Sequence, residues 1–205
     1  MVETQVSISI MAHPVRKEWA LDLSRELDAP ISWDQGGVEW NTGARAWEMF
    51  NPSASWHLVV QDDALICRDL RSRLSEALSG LEHKGPVSLY LGTGKPASKQ
   101  PIVREAVALA NGPWIELPWL LWGVAIVLPT KHIRRMLHST NKHHSPYDQR
   151  ISRWYERQGI STLYTWPSLV DHRDDESLLD HGGVERRAYK WIGRTEGRDY
   201  ARTDA

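Results

Sequence analysis

The sequence predicts an α/β fold, with a mostly parallel central sheet flanked by helices. Strand-like and helix-like patterns alternate through the first half of the chain, which is typical of βαβ units. The stretch WHLVVQDDA (56–64) is apolar almost without a break up to Gln61, as strands covered on both faces are. The chain has 205 residues and no internal repeat or low-complexity linker, which suits one domain over 1–184 and a polar tail over 185–205.

Apolar periodicity gives the order of elements in the first half of the chain. Alternating apolar residues predict strands at 5–11 and 29–37. Helical spacing of apolar residues predicts helices at 17–27 and 44–51. After the third strand, Asp69 stands where it would cap the next helix.

The second half continues with the same two kinds of element. Strands are predicted at 85–92, 114–122, 123–130 and 161–170, and helices at 102–112, from 130, and at 145–159. Ser145 precedes Pro146, and Asp148 follows three residues after Ser145, a spacing that suits a capping box at the start of a helix.

Composition narrows the class of protein. The formal net charge of −1 gives no support to non-specific binding of nucleic acid or anionic membrane. The single cysteine, Cys67, rules out an internal disulfide and a cysteine-based zinc cluster, and its position after an apolar strand predicts a buried, inert thiol. The longest apolar stretch, LPWLLWGVAIVLP, is shorter than the ~20 residues that span a bilayer, and no signal peptide pattern is present. We therefore expect a cytoplasmic protein without a membrane span.

Tryptophan is unusually frequent, with eleven residues against one phenylalanine. Its side chain combines a flat apolar face with an N–H donor, which suits sugar rings and nucleobases. The other interpretation is that tryptophan replaces phenylalanine in the core. The sequence leaves both interpretations open.

Polar residues follow the ends of the first three predicted strands. They are His13, Pro14 and Arg16 after the first strand, Asp34 after the second, and Gln61, Asp62 and Asp63 after the third. Because ligands of parallel sheets bind beyond the carboxyl ends of the strands, we expect these groups to surround one cleft. A basic group and paired carboxylates suit a phosphorylated ligand held partly through a divalent metal. A solvated turn is the other interpretation of the acidic pair.

The stretch LVVQDDA resembles the acidic motif of the GT-A fold, a Rossmann-like fold of nucleotide-sugar glycosyltransferases. It is most similar to the small bacterial and phage members near glycosyltransferase family 25, whose strand ends in Glu-Asp-Asp or Asp-x-Asp. The similarity spans roughly residues 5–182 and is carried by short motifs. It implies that Asp63 ligates Mn²⁺ or Mg²⁺ and that Asp62 lies near the ribose or a metal-bound water. Gln61 departs from the family because it replaces an acid, although it keeps a group that can hydrogen-bond a ribose hydroxyl.

Other motifs extend this resemblance towards the nucleotide. HPVR is similar to the family's Pro-x-Arg turn, which implies that His13, Pro14 and Arg16 hold the nucleotide. Asp34 stands where such enzymes contact the base. TGARAWEMF resembles a Gly-x-Arg stretch, which implies that Arg45 approaches the nucleotide. An ordinary surface arginine is the other interpretation of Arg16 and Arg45.

Two later motifs resemble the part of the family that handles the sugar and the acceptor. WLLWGVAIVLPT resembles a Trp-Gly segment, which implies a stacking face at Trp122 and close backbone approach at Gly123. A buried bulge glycine beside a core tryptophan is the alternative. SPYDQRI lies where inverting members carry the general base, which makes Asp148 our candidate within hydrogen-bond reach of the acceptor hydroxyl. The capping box with Ser145 competes for the same side chain.

The stretch DHRDDESLLDH (171–181) follows the last predicted strand. GT-A enzymes often supply a carboxyl-terminal histidine as a further metal ligand. The resemblance therefore implies His172 as a metal ligand, with His181 as the second choice. Arg173 would pair with the diphosphate.

These observations predict an enzyme, a glycosyltransferase of the hexosyltransferase type that uses a UDP- or GDP-sugar and Mn²⁺ or Mg²⁺. The acceptor would be a hydroxyl group of a glycan, a protein or a modified DNA base. Net charge gives no support to DNA, although the arginines between 186 and 202 leave it open. One alternative is a metal-dependent phosphodiesterase, which needs further carboxylates to hold two metals. The other is a non-catalytic, tryptophan-rich carbohydrate-binding module, which is typically all-β.

Overall fold

The computed structural model describes residues 5–141, 145–173 and 186–193. The strands are β1 (Val6–Ala12), β2 (Ile31–Trp33), β3 (Trp56–Gln61), β4 (Ala64–Ile66), β5 (Val87–Ser88), β6 (Trp114–Leu117), β7 (Ala125–Pro129), β8 (Thr162–Thr165) and β9 (Val170–His172). The helices are α1 (Lys17–Leu27), α2 (Glu39–Glu48), α3 (Leu70–Leu78), α4 (Gln100–Leu109), α5 (Thr130–Thr140) and α6 (Tyr147–Glu156), with a 3₁₀ turn at Pro14–Arg16.

Seven strands form the central sheet in the order β2-β1-β3-β7-β5-β8-β6. Strands β1, β2 and β3 pair in parallel, as do β5 and β8, while β7 and β6 pair antiparallel with their neighbours. Five strands therefore run in one direction and two run against them. The predicted α/β fold with a mostly parallel sheet is confirmed.

The sheet is covered on both faces because successive residues of its strands point to opposite sides. Leu58 and Val60 of β3 pack in the cluster that includes the apolar residues of α1, α3 and α4. Val59 lies in the other cluster, with apolar residues of α2, α5 and α6. All three β3 residues are fully buried, which explains the unbroken apolar run in the sequence.

The topology places a crevice at one edge of this sheet. Strand β1 lies between β2 and β3. The chain therefore passes from β1 to β2 on one side and then crosses to β3 on the other side of β1. Helix α1 covers one face and α2 the opposite face. Ligands of open α/β sheets bind outside the carboxyl ends of the strands at such a switch point.

Several element boundaries differ from those predicted. Helix α2 begins at Glu39, earlier than the predicted 44, because Trp40 and Trp47 both pack in the core and outweigh the weak helix propensity of Gly43. Strand β6 ends at Leu117 because Pro118 has no N–H to donate to a ladder.

The carboxyl-terminal boundary also differs. The prediction places residues beyond 184 in a polar tail. In the structure, 186–193 lies against the domain: Tyr189 and Ile192 pack on the main core, and the Tyr189 N–H donates to the Leu91 carbonyl at 2.9 Å. This segment is therefore part of the folded domain.

Cys67 is fully buried, and burial raises the pKa of its thiol to about 11, in agreement with the predicted inert thiol. Among the helices of the described residues, none has the length and apolar character that crossing a membrane requires.

Candidate active site

A cleft of about 930 Å³ lies at the carboxyl ends of β1, β2 and β3 and beside the amino end of β7. Ten of the residues that the sequence assigned to a site line it: His13, Arg16, Asp34, Gln61, Asp62, Asp63, Trp122, Gly123, Asp148 and His172. The volume is within the range of small-molecule and cofactor pockets. Residues from distant parts of the chain thus meet in one place.

Arg16 forms hydrogen-bonded ion pairs with both adjacent aspartates. One Arg16 nitrogen, Nη1, donates to Asp62 Oδ1 at 3.0 Å and to Asp63 Oδ2 at 2.6 Å. The other oxygen of Asp62 accepts from the His13 backbone N–H at 2.7 Å. The turn after β1 therefore supplies a counter-ion for the acidic pair after β3, because the two strands are parallel neighbours. Such charge-assisted bonds suit the partly dry wall of a cleft.

His172 reaches the same pair through a strand pairing that the sequence did not predict. Strand β4 begins directly after the aspartates and pairs antiparallel with β9, which sets Ala64 opposite His172. The Arg173 N–H donates to the Asp63 carbonyl at 2.9 Å, which fixes this register. His172 Nε2 consequently lies 3.4 Å from Asp63 Oδ2.

The two aspartates differ in their tendency to ionise. Burial raises the pKa of Asp62, with a contribution from the charge of Asp63, although the His13 N–H and Arg16 oppose the rise. Burial also acts to raise the pKa of Asp63, but its hydrogen bond and charge interaction with His172, together with Arg16, lower it overall. The surroundings therefore favour the ionised form of Asp63 more than that of Asp62.

Within the described residues, two buried atoms of this cluster have no hydrogen-bond partner. They are Asp63 Oδ1 and His172 Nδ1, on side chains whose residues are 7% and 5% exposed. Buried polar atoms are usually paired, so such atoms require an explanation. Within residues 5–141, 145–173 and 186–193 there is no group of three or more His, Cys, Asp or Glu side chains arranged to hold a metal.

Asp148 faces the cleft and is not engaged in a capping box. Helix α6 has Pro146 at its N-cap position and no side-chain capping bond. The Ser145 hydroxyl instead accepts from Arg153 at 2.6 Å, and Asp148 Oδ1 accepts from the Gln149 N–H at 2.7 Å. Burial, with a smaller contribution from the charge of Glu39, raises the pKa of Asp148 to about 7. The carboxyl group can therefore exchange a proton near neutral pH.

Two glycines fix the start of α6. Tyr147 is 1% exposed, and a side chain at Gly43 of α2 would collide with its ring. A Cβ at Gly123 would lie 3.0 Å from the same ring and 3.1 Å from Gln61 Nε2. Both glycines thus make room for Tyr147, and the wedged ring positions its neighbour Asp148. The Gly123 backbone also lines the cleft, as predicted, but its missing side chain serves protein packing.

Other predicted residues lie elsewhere or do something different. Arg45 does not line the cleft: its guanidinium donates to the Trp33 carbonyl at 2.8 Å. Pro14 is exposed outside the lining, and Arg173 lies over the Trp19 ring with 4.8 Å between its Cζ and the ring centroid. Predicted nucleotide contacts from these three residues do not agree with this placement.

The structure bears differently on the predictions for Trp122, Asp34 and His181. Trp122 is 9% exposed because the rings of Tyr90 and Tyr164 contact it edge-on, which leaves little face for a sugar. Asp34 accepts from the Thr42 hydroxyl at 2.7 Å and the Gly37 N–H at 2.8 Å, and these bonds, led by Thr42, lower its pKa. His181 lies outside the described residues.

Sequence reasoning missed many lining residues, and those with charged or aromatic side chains include Glu39, Lys95, Lys99, Trp119, Arg153 and Arg186. Glu39 is the first residue of a helix whose start was misplaced, and Arg186 was assigned to a tail. The lysines lie in the loop before α4, which no motif marked. Trp119 could have been identified from the motif WLLW, but the sequence analysis assigned the stacking face to Trp122.

Comparison with known proteins gives similar structures of low identity. A Drosophila beta-1,4-galactosyltransferase 7 mutant in complex with manganese, UDP-Gal and xylobiose has 9% identity and a TM-score of 0.46, over 85% of this chain and 77% of that one. A glycosyltransferase involved in the glycosylation of the major capsid of PBCV-1 has 11% identity and a TM-score of 0.43, over 83% and 94%. No family model and no curated protein matches the chain. Similarities at this level say nothing about the donor, the acceptor or the metal of this chain.

Proposed function

We propose that the protein transfers a sugar from a nucleoside diphosphate donor to an acceptor hydroxyl group. The observation that carries this proposal is the meeting of two kinds of group in one cleft. The charged cluster of Arg16, Asp62, Asp63 and His172 lies at the strand ends, and Asp148, a carboxyl group with a pKa of about 7, lines the same cleft. The first kind suits a diphosphate leaving group, and the second suits deprotonation of a hydroxyl.

The donor set of Asp63 and His172 fits a divalent cation such as Mn²⁺. Among the described residues both side chains have a buried atom without a partner, and carboxylate and imidazole are groups that bind such metals. Asp63 and His172 are the residues that would hold the metal. When bound, the metal would supply charge neutralisation for the departing diphosphate. Asp62, both of whose oxygens are already engaged, would hold Arg16 and the His13 turn in place.

Arg16 and Arg186 are the fixed cations of the donor side. Arg16 bonds both aspartates, and Arg186 lines the cleft and contributes to the lowered pKa of Asp63. Cations held in advance at the site where charge develops stabilise a transition state without further reorganisation. These two residues would bind the diphosphate and stabilise its negative charge as it leaves.

Asp148 would act as the general base. The acceptor oxygen attacks the anomeric carbon and forms the new C–O bond, while the bond between that carbon and the diphosphate oxygen breaks. The acceptor proton passes to Asp148, and the bonding electrons leave with the diphosphate. A base with a pKa near the working pH is suited to this step, and the scheme predicts inversion at the anomeric carbon.

The alternatives receive less support from the described residues. A two-metal phosphodiesterase needs more ligands, and these residues contain no cluster of three or more metal-binding side chains. A carbohydrate-binding module is typically all-β, whereas helices cover both faces of this sheet. The tryptophan predicted as a platform, Trp122, is buried.

Thermal unfolding with UDP, GDP and their sugars, each with Mn²⁺ or with EDTA, tests the proposal. A ligand at ~100 times its Kd adds about 2.7 kcal/mol to the free energy of unfolding. We expect a metal-dependent shift in the wild type that Asp63→Ala abolishes. Asp22→Ala, which removes an exposed carboxylate of α1, is the control and retains the shift. Absence of a shift with every nucleotide would contradict the proposal.

A further inference from the structure

One part of the cleft has no role in the donor chemistry described above. It is formed by the loop before α4, the loop between β6 and β7, and the side of α6 that faces the cleft. We call it the acceptor subsite and define it by the lining residues Lys95, Lys99, Trp119, Leu121 and Arg153.

Trp119 holds a lysine against the wall of this subsite. Its ring is partly exposed, and Lys99 Nζ lies 3.4 Å from the ring centroid. A cation over a tryptophan face is attracted by the negative face of the ring, and more strongly where water is excluded. The ammonium group is therefore held at the cleft and does not extend freely into solvent.

Hydrogen bonds join the three elements of the subsite. Trp122 Nε1 donates to the Lys95 carbonyl at 2.7 Å, which ties the lysine loop to the β6–β7 loop. The Leu120 N–H donates to the Ser152 hydroxyl at 3.0 Å, which ties that loop to α6. A surface fixed in this way loses little conformational freedom when a ligand binds.

Lys99 and Arg153, the two cations that carry the argument, lack acidic partners within the described part of the chain. Lys99 forms no ion pair there, and Arg153 donates only to neutral groups, the Ser145 hydroxyl at 2.6 Å and Gln149 Oε1 at 3.4 Å. The carboxylate of Glu156, which also lines the cleft, accepts a hydrogen bond from Ser152. An anionic group on a ligand would complement these cations.

We propose that the acceptor is an anionic carbohydrate, a sugar that carries a carboxylate or a phosphate. Its ring would lie in the subsite near Trp119 and Leu121, and Lys99 and Arg153 would bind its anionic group. The acceptor hydroxyl would then approach Asp148, which lies on α6 together with Arg153. This assignment rests on the proposed transferase function and adds the substrate class to it.

Isothermal titration calorimetry of the full chain with three small sugars tests the assignment. The probes are methyl β-D-glucuronide, glucose 6-phosphate and the neutral methyl β-D-glucoside. We expect at least one charged sugar to bind about tenfold more tightly than the neutral one, since hydrogen bonds to charged groups are worth about that factor. The more tightly bound charged sugar identifies the anion as carboxylate or phosphate.

Variants assign the preference to the subsite. Lys99→Met keeps an apolar chain beside Trp119 and should remove the preference for the charged sugar, and Arg153→Gln should reduce it. Trp119→Ala should weaken the binding of all three sugars. Lys131→Met, which removes an exposed lysine of α5, is the control and should change nothing.

Three outcomes would overturn the assignment. They are equal binding of the three sugars, no binding of any, and tighter binding of a short single-stranded oligonucleotide, which would assign the subsite to nucleic acid. The nucleotide-dependent thermal shift of the wild type is measured separately. It can fail while the sugars bind, or succeed while they do not, so the two proposals are decided independently.

Discussion

Two strand histidines are almost fully buried, and their surroundings differ. His57 of β3 is 0% exposed: its Nδ1 lies 2.8 Å from the Ser7 hydroxyl, and its Nε2 lies 3.1 Å from both the Ser9 hydroxyl and the Ala46 carbonyl. His172 of β9 is 5% exposed, but its Nδ1 has no partner among the described residues, and its Nε2 lies 3.4 Å from Asp63 Oδ2. One histidine is completely hydrogen-bonded and the other is not.

We propose that this difference separates a structural cluster from a binding cluster. A buried polar network with every atom paired makes the fold rigid and leaves nothing for a ligand to bind. Within the described residues, the His172 cluster instead combines unpartnered atoms with a cleft that reaches solvent. This combination, and not burial alone, is what favours a binding role for His172.

The largest expected effect concerns Asp148, a titratable group of the binding cleft. We expect Asp148→Asn to lower sugar transfer by about 10²–10⁴-fold, because general base catalysis contributes a factor of that order. In the wild type, activity should rise with pH through about 7, since the base must be ionised to accept a proton. Initial rates measured between pH 5 and 9 test both points. Unchanged activity in the variant would remove Asp148 from the mechanism.

The next largest effect is expected at His57, the histidine whose ring nitrogens are both hydrogen-bonded. Burial lowers the pKa of His57 to about 4, although the hydrogen bonds that His57 forms with the Ala46 carbonyl and with Ser7 act to raise it. Between pH 6.5 and 4 the unfolded chain binds more protons than the folded one, so stability is lost as the pH falls. The loss attributable to His57 is about 3 kcal/mol at pH 4. Urea unfolding at pH 4.5 and 7 should show this dependence in the wild type and a weaker one in His57→Gln. If the free energy of unfolding changed equally with pH in both proteins, this explanation would be refuted.

The same substitution at each of the two histidines compares their roles directly. His172→Gln should weaken Mn²⁺-dependent nucleotide binding by about 10- to 100-fold, as loss of a group at a metal site commonly does. His57→Gln should bind nucleotide like the wild type at neutral pH, despite its lower stability. Titration of both variants with Mn²⁺ and UDP decides the point. The comparison fails if both variants lose binding to the same degree.

The smallest effect is a gain in stability. Because the folded protein raises the pKa of Asp148 to about 7, the fold favours the protonated form. The stability of the folded protein should therefore fall as the pH rises from the ordinary pKa of an aspartate towards 7. Asp148→Asn removes this cost, and we expect a gain of about 1 kcal/mol at pH 8 and none at pH 4, a figure reduced because solvent screens a partly exposed group. Thermal melts at the two pH values measure it, and equal melts at pH 8 would contradict it.

The acidic pair, the turn after β1 and the α/β class could be predicted because they are properties of local sequence. The apolar run of β3 defines a strand covered on both faces, and the polar residues that follow it must emerge at the carboxyl edge. Neighbouring parallel strands bring such edges together, so Arg16, Asp62 and Asp63 were correctly placed in one cleft. Asp148 was also placed there, although the sequence could not exclude the capping box.

The remaining features depend on long-range contacts that no local pattern encodes. The pairing of β4 with β9 brings His172 to Asp63, across more than 100 residues. Gly123 had been interpreted as a position where the backbone approaches the sugar, yet Gly43 and Gly123 each provide space for the Tyr147 ring. Likewise, Trp122 is enclosed by two tyrosines, while its neighbour Trp119 is partly exposed in the cleft. The sequence by itself determined which residues could do chemistry, and tertiary packing decided which of them remain unpaired at the cleft, because burial and hydrogen bonding depend on neighbours that are distant in the chain.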